Sequence, residues 1–97
     1  MQQLEQITDQ IREKMEVTNA ARDLAYQRSR ALTRVCSRSI RATHREEWDL
    51  AQELIGEARA AAQDLIAGVQ DAPALYYAGY TQDALKEYVE ANLTYLL

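Results

Sequence analysis

Apolar and polar positions in the first half of the chain follow a helical period. Apolar or small side chains recur every three or four residues from Leu4 to Ser39, which is the spacing of one face of an amphipathic helix. Neither Gly nor Pro occurs in residues 1–55. We therefore predict a long first helix over about residues 3–44, on the order of 60 Å long.

Two more helices follow in the pattern. A second period runs from Trp48 to Val69, with Gly68 at its end and Pro73 after it, an order that is typical of a helix stop. The third period begins at Pro73, a favourable first-turn residue, and continues to Leu97. The predicted bounds are about residues 47–68 and 73–97. We place a turn near residues 44–47 because one helix through both periods would be far longer than globular proteins use.

These periods predict an all-α fold, a three-helix antiparallel bundle whose first helix is long. The composition agrees, because good helix formers dominate while the 97 residues include only three Gly and one Pro. A chain of this length supports one domain with a modest core. The third helix runs to Leu97 without a capping signal. We therefore expect either that residues 1–97 form one incomplete helical domain or that this helix packs against another subunit.

Several classes of protein are disfavoured by the sequence. No window approaches the roughly 18 apolar residues of a membrane span, and the N-terminus lacks the pattern of a signal peptide. Cys36 is the one cysteine, so it forms no internal disulfide and anchors no zinc knuckle. We expect a cytoplasmic protein with no membrane partner, in which Cys36 acts as a small hydrophobic residue.

The charge is divided unequally along the chain. Residues 1–45 hold nine basic and five acidic side chains, a balance of +4, whereas residues 46–97 hold two basic and ten acidic ones, a balance of −8. Five arginines of the first part recur at intervals of four, four, three and four residues. This arginine row consists of Arg30, Arg34, Arg38, Arg41 and Arg45.

The spacing of the arginine row places its members on one side of the first helix. Guanidinium groups suit phosphates, and such a row can follow a nucleic-acid backbone with salt-sensitive, sequence-independent affinity. The alternative is a solvated face whose arginines pair with acids of the second helix. Asp23 is the one acid between residues 22 and 45, which favours the anion-binding interpretation.

Three other sets of residues have candidate chemistry. Asp83, Glu87 and Glu90 share a helix face and could hold Mg²⁺ for phosphodiester hydrolysis, or be neutralised by Lys86 and arginines of the first helix. His44 could contact phosphate or transfer protons, or simply end a helix. The tyrosines could stack on bases or belong to the core or an interface; these are Tyr76, Tyr77 and Tyr80.

The segments SRALTRVCSRSIRATHR (residues 29–45) and PALYYAGYTQDALKEYVEA (residues 73–91) together resemble the prokaryotic branch of the translin/Trax family. The resemblance implies a longer all-α bundle that assembles into closed oligomeric shells and binds single-stranded RNA or DNA. Trax-like members are metal-dependent endoribonucleases, whereas translin-like members bind without cutting.

The resemblance also assigns residues. The stretch KEYVEA matches the segment in which Trax-like proteins hold two catalytic glutamates, here Glu87 and Glu90. The family's third catalytic acid lies on a later helix, so Asp83 is at most a substitute for it as a metal ligand. The chain departs from translin-like proteins at Glu46, where the family has a small residue. It also departs after the tyrosine pair, where basic and histidine residues are replaced by Ala78, Gly79, Thr81 and Gln82.

The sequence therefore leads to one main hypothesis and two alternatives. The main hypothesis is a homo-oligomeric binder of single-stranded RNA or DNA, with the arginine row and His44 on the phosphates. The first alternative is a Mg²⁺-dependent endoribonuclease of the Trax type that uses Glu87 and Glu90. The second is a helical scaffold without a ligand.

Overall fold

The computed structural model describes residues 2–97 and consists of helices and short connections. In chain order the helices are α1 (Gln2–His44), α2 (Trp48–Val69), α3 (Pro73–Tyr76) and α4 (Gly79–Leu96). No strand occurs among residues 2–97. The prediction of an all-α fold with a long first helix is thus confirmed. Within the described residues, none of the helices has the length and apolar character that crossing a bilayer requires.

The second half of α1 packs against both α2 and α4. Helix α2 returns antiparallel to α1, so that Gly68 near its end lies beside Arg28. Helix α4 runs in the same direction as α1, since the rings of Tyr26 and Tyr80 lie 5.5 Å apart while Tyr95 packs near Ala42. The three longer helices therefore alternate in direction.

The core is built largely from small side chains, which let helices approach closely. Its larger buried cluster consists of Ala25, Leu32, Cys36, Ile55, Ala58, Ala62, Leu65, Val69, Ala84 and Ala91, and a smaller one consists of Ala42, Ala51 and Leu54. Polar residues also lie on this face of α1. The hydroxyls of Ser29 and Thr43 donate to the carbonyl oxygens four residues earlier, at 2.8 and 3.0 Å. Ser39 Oγ is buried and has no hydrogen-bond partner among the described residues.

The first half of α1 projects from this bundle. Residues 2–24, which we call the arm, are all exposed, and the molecule measures 68 × 18 × 16 Å. The apolar side chains of the arm, Leu4, Ile7, Ile11 and Met15, are each more than half exposed. Their stripe continues the face that α2 and α4 cover further along α1, so the arm presents a core-like face that none of residues 2–97 covers.

The turn after α1 explains how a chain without Gly or Pro reverses direction there. The amide of Glu47 donates to Ala42 O at 2.9 Å and that of Glu46 to Thr43 O at 3.0 Å, which is the bond pattern of a Schellman helix end. That pattern requires a left-handed residue, and Glu46 adopts φ 60°. A non-glycine residue therefore occupies the position that glycine usually fills.

The segment that we predicted as one helix over residues 73–97 is divided between α3 and α4. Ala78 is extended, with ψ 143°, and side chains of the first turn of α4 reach back to α3. Thr81 Oγ1 donates to Leu75 O at 2.8 Å, and Gln82 Nε2 donates to Tyr76 O at 2.7 Å. These bonds satisfy carbonyl groups at the end of α3, so the interruption leaves them paired.

Replacing Glu46 with glycine should stabilise the protein. Glycine adopts the left-handed conformation without the Cβ penalty, and the change removes a negative charge near the C-terminus of α1, so the free energy of unfolding should rise by about 1 kcal/mol. Urea denaturation followed by circular dichroism measures this change. Glu47→Gly is the matched control: Glu47 has φ −87°, so this variant should be less stable, and a gain of equal size in both variants would contradict the account.

Candidate nucleic-acid interface

The arginine row lies on the solvent face of α1. All five members are exposed, and their spacing confines them to about 80° of the helix circumference. The residues that α1 buries face the opposite direction; they are Ala25, Ser29, Leu32, Cys36, Ser39, Ala42 and Thr43. The contacts of α1 with α2 and α4 thus turn the arginine row outward.

None of these five arginines forms an ion pair with a described residue. Across residues 2–97 one ion pair occurs within 4.0 Å, between Arg12 and Asp9 of the arm at 3.7 Å. The scaffold alternative predicted pairing between the arginine row and acids of α2, and that pairing is not observed in this part of the chain. The guanidinium groups keep most of their donors for an external anion.

The row borders two depressions on opposite sides of α1. Arg30 and Arg34 line a cleft of about 330 Å³ between α1 and α4, which also includes Tyr80 and Asp83. The other three arginines line a smaller hollow of about 160 Å³ against the start of α2; they are Arg38, Arg41 and Arg45. A strand that follows the row would therefore cross from the α4 side to the α2 side of α1.

Arg30 is held in place by a tyrosine that the sequence analysis did not select. Its Nη1 donates to Tyr26 Oη at 3.1 Å, and its guanidinium carbon lies 5.8 Å from the centre of the Tyr26 ring. The Tyr26 ring packs edge-to-face on Tyr80, with an interplanar angle of 88°. The interval of four residues between Tyr26 and Arg30 was the available signal, because it makes them neighbours on a helix.

Arg28 does not share this exposure. It is half-buried, and its guanidinium occupies the space into which a side chain at Gly68 would project. This position is near the C-terminus of α2, where the helix dipole favours a positive charge. Arg28 therefore helps to join α1 to α2, whereas the members of the arginine row are exposed.

His44 is the last residue of α1 and is exposed. Its side chain lies at a helix C-terminus, where a cation is favourable, and between Arg41 and Arg45 in sequence. Both interpretations from the sequence, a contact with phosphate and a helix-end residue, are compatible with this position.

The three acids of α4 are in different surroundings. Asp83 is exposed and lines the cleft between α1 and α4. Glu87 is half-buried on the side that faces α1, close enough to influence the Cys36 thiol. Glu90 is exposed. The described residues contain no group of three His, Cys, Asp or Glu side chains arranged to hold a metal ion. A Mg²⁺ site at Asp83, Glu87 and Glu90 stays a prediction from spacing and from the resemblance.

The tyrosines of α3 and α4 have two roles. Tyr76 and Tyr80 are half-buried and pack against the core, as one of the two sequence interpretations expected. Tyr77 packs edge-to-face on Tyr76, with ring centres 4.9 Å apart, and its own side chain is 73% exposed. Tyr77 is thus the most exposed of the three rings, whereas Tyr80 keeps part of its surface in the cleft between α1 and α4.

Comparison of the chain with models of known families, with curated proteins and with solved structures gives no match. The resemblance to the translin/Trax family therefore rests on the two segments, residues 29–45 and 73–91, and their order.

The environment of Cys36 predicts that its thiol reacts slowly. Burial, and secondarily the charge of Glu87, raise the pKa of Cys36 to about 11 from 9.0. At pH 8 this change alone lowers the thiolate fraction about a hundredfold. Ellman's reagent should therefore react with native protein at least that much more slowly than with urea-unfolded protein. Cys36→Ala combined with Ala20→Cys places the thiol on the exposed arm as a control. Equal rates for Cys36 and this arm thiol in native protein would show that Cys36 is not enclosed.

Proposed function

We propose that this chain binds single-stranded nucleic acid, with the arginine row contacting consecutive phosphates. The observation that carries the proposal is the alignment of five exposed arginines on one face of α1 without an ion pair to any described carboxylate. From Arg30 to Arg45 the row is about 22 Å long, which several consecutive phosphates can follow. Its planar donors match phosphate oxygens.

The remaining charge of the chain supports one binding face. Residues 46–97 carry a balance of −8, and helices α2 and α4 present much of it to solvent. A polyanion is repelled by those surfaces and attracted by the arginine row, so the field orients the strand on α1. The proposal thus accounts for a protein whose total charge is −4.

Aromatic side chains beside the row favour a single strand over a duplex. Tyr26 and Tyr80 border the same cleft as Arg30 and Arg34, and 44% of Tyr26 is exposed. Unpaired bases can stack on such rings, whereas paired bases in a duplex cannot reach them. The resemblance to the translin/Trax family points to the same class of ligand.

Reversing two charges of the row should remove most of the binding. Arg34→Glu with Arg38→Glu deletes two phosphate contacts and adds repulsion, so the slope of log affinity against log salt should decrease in magnitude by about 1.4 or more. Fluorescence anisotropy with a labelled U10 RNA from 50 to 200 mM salt measures this.

The matched control for this variant is Arg12→Glu with Arg59→Glu. It produces the same net charge with both substitutions outside the row. Equal affinity loss in the two double variants would show that only net charge matters. If U10 does not bind at low salt, the proposed function is wrong and the scaffold alternative remains.

The arm supports the further proposal that the protein is a homo-oligomer. Leu4, Ile7, Ile11 and Met15 form an apolar stripe that no described residue of this chain covers. A second exposed stripe lies on α4, at Val89, Leu93 and Leu96. Contiguous apolar faces of this kind mark association surfaces. Copies of this chain that pair through the arms would bury the stripe of the arm.

Placing charges on the arm stripe should dissociate the oligomer. Ile7→Glu with Ile11→Glu puts two carboxylates into the apolar interface, which is strongly unfavourable. Sedimentation equilibrium should then give the 11.1 kDa mass of one chain, in place of a multiple of it. Gln6→Glu with Ala20→Glu adds the same charge away from the stripe and should keep the native mass. A wild-type protein that sediments as one chain at micromolar concentration would contradict the proposal.

A further inference from the structure

The cleft between α1 and α4 differs chemically from the rest of the arginine row. Besides Arg30 and Arg34 it is lined by two phenol rings and by the carboxylate of Asp83. Its volume of about 330 Å³ falls within the range of small-molecule sites. A surface that only followed phosphates would not need the carboxylate, because an acid repels a polyanion.

Part of this cleft is preorganised by contacts between the helices. Tyr80 of α4 packs on Tyr26 of α1, and Tyr26 in turn holds Arg30 through a hydrogen bond and a ring contact. This arrangement uses one of the five guanidinium donors of Arg30, so the others can bind a phosphate. Fixing the side chain before binding reduces the entropy lost when a ligand arrives.

Asp83 is available as an acceptor. No ion pair within 4.0 Å connects it to a described arginine, although Asp83, Arg30 and Arg34 line one cleft. A carboxylate accepts hydrogen bonds and can take two parallel ones from neighbouring donors. On its Watson–Crick edge guanine presents two adjacent donors, N1–H and the 2-amino group. Adenine, cytosine and uracil each present one donor group there, with acceptors beside it.

We infer that this cleft selects guanine at one position of the bound strand. The phosphate lies on Arg30 and Arg34 of α1, the base lies against Tyr80 of α4, and Asp83 accepts from N1–H and the 2-amino group. Asp83 follows Tyr80 by three residues, so both lie on the same side of α4 and can reach one base. This inference rests on the proposed function, to which it adds base selectivity.

The test compares U10 RNA with the same strand carrying one central substitution, in EDTA so that no divalent metal contributes. Guanine at that position should strengthen binding about tenfold, as expected for two hydrogen bonds to a base edge. Inosine, which lacks the 2-amino group, and adenine should lose most of this gain. A 2′-deoxyguanosine should keep it, because the inferred contacts involve the base and not the ribose.

The decisive variant is Asp83→Asn, with Asp64→Asn on an exposed position of α2 as the matched control. Asp83→Asn should abolish the preference for guanine over inosine, whereas Asp64→Asn should keep it, and the readout in each protein is the ratio of the two affinities. Equal binding of U10 and the guanine strand by the wild-type protein would overturn the inference. So would a preference that vanishes with deoxyguanosine, or an Asp83→Asn protein that still prefers guanine. Failure of U10 itself to bind would instead refute the proposed function.

Discussion

The packing of one face of α1 against α2 and α4 is the constraint on which the rest of the structure depends. Small residues in this interface allow close approach, and Leu32 and Cys36 are completely buried there. Because a helix is rigid about its axis, burying this face determines where every other side chain of α1 points. The arginine row is held in solvent by contacts made on the far side of the same helix.

The packing that buries one face of α1 covers only the second half of this helix. Beyond Ala25 toward the N-terminus, neither α2 nor α4 buries a residue of the helix, and all of residues 2–24 are exposed. An isolated helix in water is marginally stable, and most helical stability in proteins comes from packing an apolar face. If the arms associate as proposed, association would stabilise this part of α1, place several arginine rows in one assembly and raise the avidity for a long strand.

The sequence predicted the bounds of the helices better than the contacts between them. The observed bounds of α2, Trp48–Val69, lie within one residue of those expected, because Gly68, Pro73 and the apolar period are local signals. The division at Ala78 was not foreseen, because it depends on Thr81 and Gln82 reaching back to α3. The exposure of the arm could not be predicted either, since an apolar stripe does not reveal what covers it. Asp83 and Arg30 line one cleft because α4 packs on α1. The periodicity of the sequence does not indicate which helices pack together.

The central claim is that a nucleic-acid strand lies along the arginine row, and arginine footprinting tests it most directly. The protein is modified with phenylglyoxal with and without saturating U10 RNA, and the modified positions are mapped by mass spectrometry. The account predicts that RNA protects Arg30, Arg34, Arg38, Arg41 and Arg45, while Arg12 and Arg59 react as before. Equal reactivity of the row with and without RNA, under conditions in which RNA is bound, would contradict it.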